Sequence, residues 1–137
     1  MRAVLVLCLL LVSGCGGDHG LAAHRTTWRE RALTSYTFVF TAFGMAGTQS
    51  VRVTVRDGRA VSAEPGPGTE RYTFEPARPT VDEVFTMLAK DLDEADQVTV
   101  SWDATFGVPT HVRVDQDTHA IDDEHSYGVS DIRPGSS

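Results

Sequence analysis

The stretch Ser50-Val51-Arg52-Val53-Thr54-Val55-Arg56-Asp57-Gly58 shows the most regular alternation of apolar and polar residues in the chain. Because side chains alternate between the two faces of a strand, this period predicts that the valines face a core while Arg52 and Arg56 face solvent. Asp57-Gly58 tolerates positive φ at both positions of a tight turn, which favours a hairpin into another strand over residues 59–64. The stretch therefore predicts two antiparallel strands that share a buried face.

The residues before this stretch predict a third strand of the same sheet. Tyr36-Thr37-Phe38-Val39-Phe40-Thr41 alternates in the same way and consists of aromatic and β-branched residues, which favour strands. Its three aromatic residues fall on one face. A turn over residues 44–47 then connects it to the valine stretch, so we expect an antiparallel meander of three strands.

Two helices are predicted from capping signals. Thr80-Val81-Asp82-Glu83 matches a capping box, in which the first side chain and the fourth satisfy each other's backbone N–H groups. Thr27-Trp28-Arg29-Glu30 matches the same pattern, so we expect the first helix to begin near Thr27, or one turn earlier from Leu21. The helix after Thr80 carries a full apolar stripe, made of Val81, Val84, Phe85, Leu88 and Leu92.

The last part of the chain predicts three more strands. Val98, Val100 and Trp102 alternate with polar residues, residues 110–115 return after a turn over 103–109, and a strand follows around Tyr127. The predicted order is α-β-β-β-α-β-β-β. Such a succession favours an α+β fold of two layers, with one or more antiparallel sheets and both helices on one face.

The N-terminus predicts export and lipidation. Arg2 precedes an apolar run of nine residues, 3–11, which is too short to cross a hydrocarbon core that needs about 20. Val12-Ser13-Gly14-Cys15 then resembles a bacterial lipobox, so we expect removal of residues 1–14 and a lipid on Cys15. An ordinary secretory signal that happens to end in cysteine stays open. We assign 15–24 to a flexible tether, 25–132 to one domain and 133–137 to a disordered tail.

Length and charge limit the classes of function. Removing residues 1–14 would leave 123 of the 137 residues, enough for one domain, and would change the net charge from −7 to −8 because Arg2 is lost. This charge argues against a nucleic-acid partner, which requires clustered positive charge. With Cys8 removed and Cys15 acylated, no disulfide can form. The expected partners are the membrane, through the N-terminal lipid, and an envelope protein; no cofactor is expected.

An acidic segment supplies the weak metal candidates, which are Asp115, Asp117, Asp122, Asp123 and Glu124. A calcium loop of the EF-hand type beginning at Asp115 would need Gly and Glu where the chain has Ala120 and Ser126. A different oxygen-ligand site stays open, as does a role for Asp103 with Asp115 across the hairpin, but a solvated loop is favoured. No HExxH, CxxC or G-x-S-x-G pattern occurs, so we expect no enzyme activity.

The chain resembles a bacterial lipoprotein family known as domain of unknown function 6174, over most of residues 25–130. The motifs that carry the resemblance are, in chain order, Trp28, Tyr36-Thr37-Phe38, Val53-Thr54-Val55-Arg56-Asp57-Gly58, Thr80-Val81-Asp82-Glu83-Val84-Phe85, Trp102-Asp103-Ala104-Thr105-Phe106-Gly107-Val108-Pro109, Asp115 and Asp123-Glu124. Many members carry cysteines after the first strand, where this chain reads Ala42-Phe43-Gly44-Met45. The resemblance implies a secreted, lipid-anchored domain and brings no catalytic residues.

The expected function is that of a lipid-anchored cell-envelope lipoprotein, acting as a non-catalytic binding module through its sheet or its loops 104–109 and 115–124. We expect it outside the cytoplasm, at the outer membrane if the organism has two membranes, because Gly16 and not Asp follows Cys15. Two alternatives stay open. One is a carrier of lipids or small molecules with a cavity between sheet and helices. The other is a metal-dependent envelope hydrolase using the 115–124 loop.

Overall fold

The computed structural model describes residues 20–45, 47–69 and 77–136. The predicted signal peptide 1–14 and the lipidation site Cys15 lie outside the described residues. The elements, in chain order, are α1 (Leu21–Glu30), β1 (Tyr36–Gly44), β2 (Gly47–Arg56), β3 (Arg59–Pro65), α2 (Val81–Glu94), β4 (Gln97–Trp102), β5 (Pro109–Asp115) and β6 (Glu124–Pro134). The predicted order α-β-β-β-α-β-β-β is observed.

All six strands form one antiparallel sheet in the order β3-β2-β1-β6-β5-β4. Each half of the chain forms a meander, and the halves join where β1 pairs with β6. At the centre of the sheet Phe40 lies opposite Val51 on one side and Val129 on the other. The sequence left open whether there was one sheet or two, and the β1–β6 pairing makes it one.

The hydrophobic core lies between one face of this sheet and the two helices. Phe38, Val53 and Val112 of the sheet and Phe85 and Leu88 of α2 all have zero exposure. The faces predicted for the aromatic residues of β1 and the valines of β2 are confirmed, since their side chains belong to this cluster. Burial of the apolar face of an amphipathic helix against an apolar sheet face is the main stabilising term of such a fold.

The predicted capping box begins α2. Thr80 Oγ1 accepts a hydrogen bond from Glu83 N at 3.2 Å, and Glu83 Oε2 accepts one from Thr80 N at 2.6 Å. The N–H group of Val81, which has no acceptor within the helix, donates to the hydroxyl of Tyr36 at 3.1 Å. Burial raises the pKa of Tyr36 to about 12. The first residue of β1 therefore anchors the first residue of α2.

Replacing Tyr36 with Phe should lower the free energy of unfolding by about 1–3 kcal/mol, because the ring is kept but the buried Val81 N–H loses its acceptor. Since the folded state holds the phenol proton more tightly than the unfolded state, wild-type stability should fall as the pH rises from the ordinary pKa of 10 through about 12. The variant should show a smaller fall. Urea unfolding at pH 7, 9 and 11 measures both; equal stability at every pH would contradict this role.

The first helix has the earlier of its two predicted starts. The first helix begins at Leu21, after Gly20 with φ +78, and Thr27 lies inside it. The Thr27 hydroxyl donates to Ala23 O at 3.2 Å, as an internal helical threonine does, so the predicted capping box there is wrong. Residues 21–24, assigned to the tether, are helical because the upstream turn packs: His24 stacks on Trp102 with ring centroids 4.0 Å apart.

The C-terminal boundary also differs. Strand β6 extends to Pro134, so residues 133 and 134 of the predicted tail belong to the sheet. Pro134 lies opposite Tyr36, and Gly135 N donates to Ser35 O at 2.8 Å. Pro134 is compatible with the strand because β5 pairs with β6 only over residues 124–127. Proline is tolerated where a strand has a neighbour on one side alone.

The turn from β4 to β5 fits against α1 through a glycine. The carboxylate of Asp103 accepts hydrogen bonds from Thr105 N at 2.9 Å and from Phe106 N, which confirms the predicted turn. Gly107 has φ +74, and a Cβ placed there would lie 2.7 Å from His24 O. A side chain at this position would therefore be strained and would push α1 away from the sheet.

The change Gly107→Ala should reduce the free energy of unfolding by about 2–4 kcal/mol, from positive-φ strain and the clash with α1. Gly58→Ala is the matched control, because Gly58 has φ +73 but open space around it. It should lose only about 1 kcal/mol. Chemical denaturation of both variants measures the difference, and equal losses would show that α1 does not require the glycine.

Candidate functional site

Three large apolar side chains are exposed at one end of the sheet. Phe43 (53% exposed) and Met45 (92%) belong to the β1–β2 hairpin, and Ile121 (90%) belongs to the β5–β6 loop. They line one shallow depression together with carboxylates. We call this region the tip surface and define it as Phe43, Gly44, Met45, Asp115, Ala120, Ile121, Asp122 and Glu124.

Strand register brings the two segments of the tip surface together. Phe43 lies opposite Ser126 in the β1–β6 pair, and Asp115 lies opposite Glu124 in the β5–β6 pair. Because β6 lies between β1 and β5, the end of β1 and the loop after β5 meet at the same end of the sheet. This surface was not predicted from the sequence. Side chains alternate along β1, so Phe43 faces the side of the sheet opposite to the buried aromatic residues of that strand. This alternation is the feature of the sequence that could have predicted its exposure.

Two of the predicted metal-ligand residues accept hydrogen bonds that stabilise their own loop. Asp123 Oδ2 accepts a hydrogen bond from Asp117 N at 2.7 Å, and Asp117 Oδ1 accepts one from His119 N at 2.8 Å. Side-chain acceptors of this kind fix turns by replacing backbone acceptors. These carboxylates therefore shape the loop that carries Ile121.

A residue outside the predicted segment joins this loop. Asp96, between α2 and β4, accepts a hydrogen bond from Thr118 N at 3.1 Å, and its ligand oxygen lies within 4.8 Å of those of Asp117 and His119. All three side chains are exposed. Among the described residues, Asp96, Asp117 and His119 form the group in which three side chains capable of binding a metal lie close together. Asp96 could have been found from the strand register, since it directly precedes Gln97, which pairs with Asp115.

Asp115 is the least satisfied carboxylate of the tip surface. It is half-buried, and its Oδ1 atom has neither solvent contact nor a hydrogen-bond partner among the described residues. Removal from water raises the pKa of Asp115, and four neighbouring carboxylates raise it further, those of Asp123, Glu124, Asp96 and Asp117. Glu124 itself forms a salt bridge with Arg113 at 2.7 Å. The electrostatic potential around Asp115 is therefore negative.

Replacing Asp115 with Asn should raise the melting temperature at pH 7, because the variant removes a charge that its surroundings oppose. The raised pKa means that the folded state binds this proton more tightly than the unfolded state. The wild-type penalty is therefore absent well below pH 3.8 and develops as the pH rises through the folded pKa. The gain of Asp115→Asn should accordingly disappear in acid, as thermal melts from pH 3 to 7 would show.

The matched control for this variant is Asp122→Asn. It removes the same charge from the same loop, at a residue with φ +73 that asparagine tolerates. Asp122 is not among the carboxylates that raise the pKa of Asp115. If Asp122→Asn raised the melting temperature at neutral pH as much as Asp115→Asn does, the change in net charge would explain the effect and the environment of Asp115 would not.

Other residues considered from the sequence are not brought together. Asp103 follows Trp102, at the opposite end of the β4–β5 hairpin from Asp115, so the suggested Asp103–Asp115 pair is wrong. His111 is exposed on strand β5. His125 stacks on Tyr127 with ring centroids 6.2 Å apart.

An ion pair lies at the centre of the sheet face that carries no helices. Arg52 of β2 and Asp131 of β6 approach to 2.7 Å, although β1 lies between their strands. Their side chains must therefore cross β1 at Val39, which pairs with Arg52 and is only 3% exposed. Hydrogen bonds from Arg52 and Arg133 hold the pKa of Asp131 below its usual value.

The model of a family described as a family of unknown function (DUF6174) matches residues 20–134. The chain belongs to this family. The matched range of DUF6174 coincides with the fold, from the residue before α1 to the last residue of β6. No curated protein sequence and no solved structure matches the chain. Neither described helix of this DUF6174 domain has the length and apolar character needed to span a membrane.

Proposed function

We propose that this DUF6174 chain is a lipid-anchored lipoprotein of the cell envelope, whose domain is a non-catalytic interaction module. The observation that carries the proposal is the sequence Val12-Ser13-Gly14-Cys15 after a short apolar run. Small residues before the cysteine suit a lipoprotein signal peptidase, and an apolar run of this length suits export but not a membrane span. Cys15 is then the first residue of the mature chain and carries the lipid.

The lipid would keep the domain close to the membrane surface. Two or three acyl chains on Cys15 give stable anchoring, whereas one gives only marginal binding. Because α1 begins at Leu21, only residues 16–20 separate the lipid from the fold. Fully extended, five residues reach about 17 Å. The domain would thus act on partners within the envelope, at the outer membrane in a cell with two membranes, since Gly16 follows the cysteine.

The packing of the domain supports an interaction module over a carrier. Phe38, Phe85 and Leu88 meet between the sheet and the helices and are fully buried, so the space a carrier would use is occupied by side chains. The carboxylates support an interaction module over a metal-dependent hydrolase, because Asp117 and Asp123 accept hydrogen bonds within their own loop. The exposed apolar residues of the tip surface are typical of protein contact sites.

Expression of the full chain in a bacterial host with an alkyne-bearing fatty acid tests the anchoring. The wild type should incorporate the label and partition into the detergent-rich phase of Triton X-114. Cys15→Ala should lose both properties, because it removes the sulfur that accepts the lipid. Cys8→Ala is the matched control, since it removes the other cysteine of the chain and should retain label and partitioning.

Two results would contradict the proposed anchoring. One is labelling of Cys15→Ala at the wild-type level. The other is loss of label from Cys8→Ala alone. Mass spectrometry of the wild-type N-terminus distinguishes these cases, because a processed chain begins at a modified Cys15 and an unprocessed one retains Met1.

A further inference from the structure

We propose that the tip surface binds a segment of a partner protein in which lysine or arginine side chains lie next to aliphatic ones. This inference rests on the proposed function and names the partner class of the interaction module. Its basis is the combination, in one shallow depression, of exposed apolar side chains with the carboxylates of Asp115, Asp122 and Glu124, of which Glu124 is paired with Arg113.

The apolar part of the tip surface consists of exposed side chains that lie together. Single exposed hydrophobic residues are common and need no explanation. Here the exposed apolar side chains of Phe43, Met45 and Ile121 come from two separate loops and line the same depression. Covering them with aliphatic side chains would remove apolar area from water, at roughly 25 cal/mol per Å².

The charged part selects the kind of partner. Asp115 Oδ1 is buried without a hydrogen bond, and the neighbouring carboxylates oppose its charge. An ammonium or guanidinium group from a partner would form a charge-assisted hydrogen bond with the exposed carboxylate of Asp122, which lines the same depression. It would also neutralise the field of Asp96, Asp117 and Asp123 beside it. Arg113 is already engaged by Glu124.

The same charge argues against two other occupants. A second copy of this chain would present an equally acidic tip surface, and like charges across a symmetric interface repel. A bilayer with anionic headgroups would attract the apolar side chains but repel the surrounding carboxylates, since cationic residues are what such a surface binds. A cationic, apolar protein segment satisfies both parts of the surface.

The test measures binding of a synthetic peptide of alternating lysine and leucine to the full chain, purified from membranes in a nonionic detergent. Backbone NMR shifts locate the site, and the titration gives the affinity. The same peptide with glutamate in place of lysine controls for apolar attraction. We expect shifts confined to residues 43–45 and 115–124 with the lysine peptide, and no binding of the glutamate peptide. Raising the salt concentration should weaken the binding.

Variants distinguish binding at the tip surface from non-specific apolar association. The double change Met45→Ser with Ile121→Ser should weaken lysine-peptide binding about tenfold, which corresponds to about 1.4 kcal/mol. Val61→Ser is the matched control, because Val61 is as exposed as Phe43 (53%) but lies on edge strand β3, away from the tip surface. It should bind as the wild type does. Thermal melts confirm that all variants are folded.

Four results would overturn the proposal: lysine-peptide shifts outside the tip surface, equal binding of the glutamate peptide, unchanged affinity of the double variant, and insertion into lipid. The last is measured with the chain in phosphatidylglycerol vesicles containing spin-labelled lipid, where broadening of the signals of residues 43–45 and 121 would indicate a membrane contact. Repeating the titration with Cys15→Ala keeps the two proposals distinguishable. Loss of lipidation does not alter the tip surface, so peptide binding should persist even if the anchoring proposal fails.

Discussion

The pairing of β1 with β6 is the constraint on which the rest of the structure depends. It joins two three-stranded meanders into one sheet with a single continuous apolar face. Because side chains alternate along a strand, a slip of one residue in this register would turn Phe38 and Phe40 of β1 away from the helices. The same register places Phe43 beside the start of β6, so it creates both the core and the tip surface.

The tip surface combines a stable scaffold with locally unfavourable groups. Beside it, β5 pairs with β6 from Asp115↔Glu124 onward, and hydrogen bonds to Asp117 and Asp123 fix the loop turns. On this frame Asp115 retains an unpaired oxygen among other carboxylates, and Met45 and Ile121 remain in water. Groups of this kind do not stabilise the folded domain, and the proposed partner would cover the apolar ones.

The local elements of this fold were predictable from short-range patterns. The valines of β2, the Asp57-Gly58 turn and the Thr80–Glu83 capping box each depend on residues within a few positions of one another, and each is observed as predicted. Prediction was wrong where a distant contact overrode the local signal. The capping box predicted over Thr27–Glu30 is absent, and the first helix begins at Leu21, the earlier start that the sequence also allowed. There His24 stacks on Trp102, which is distant along the chain.

The sequence by itself determined the succession of helices and strands, their buried faces and the acidic character of the 115–124 segment, because these follow from periodicity and composition. Only the tertiary structure decided which strands are neighbours, and with it that Asp96 joins the acidic loop and that Phe43 and Met45 meet Ile121. Strand order depends on pairings between segments distant in sequence. A one-dimensional pattern does not encode such pairings, because every strand here presents one apolar face that several others would fit.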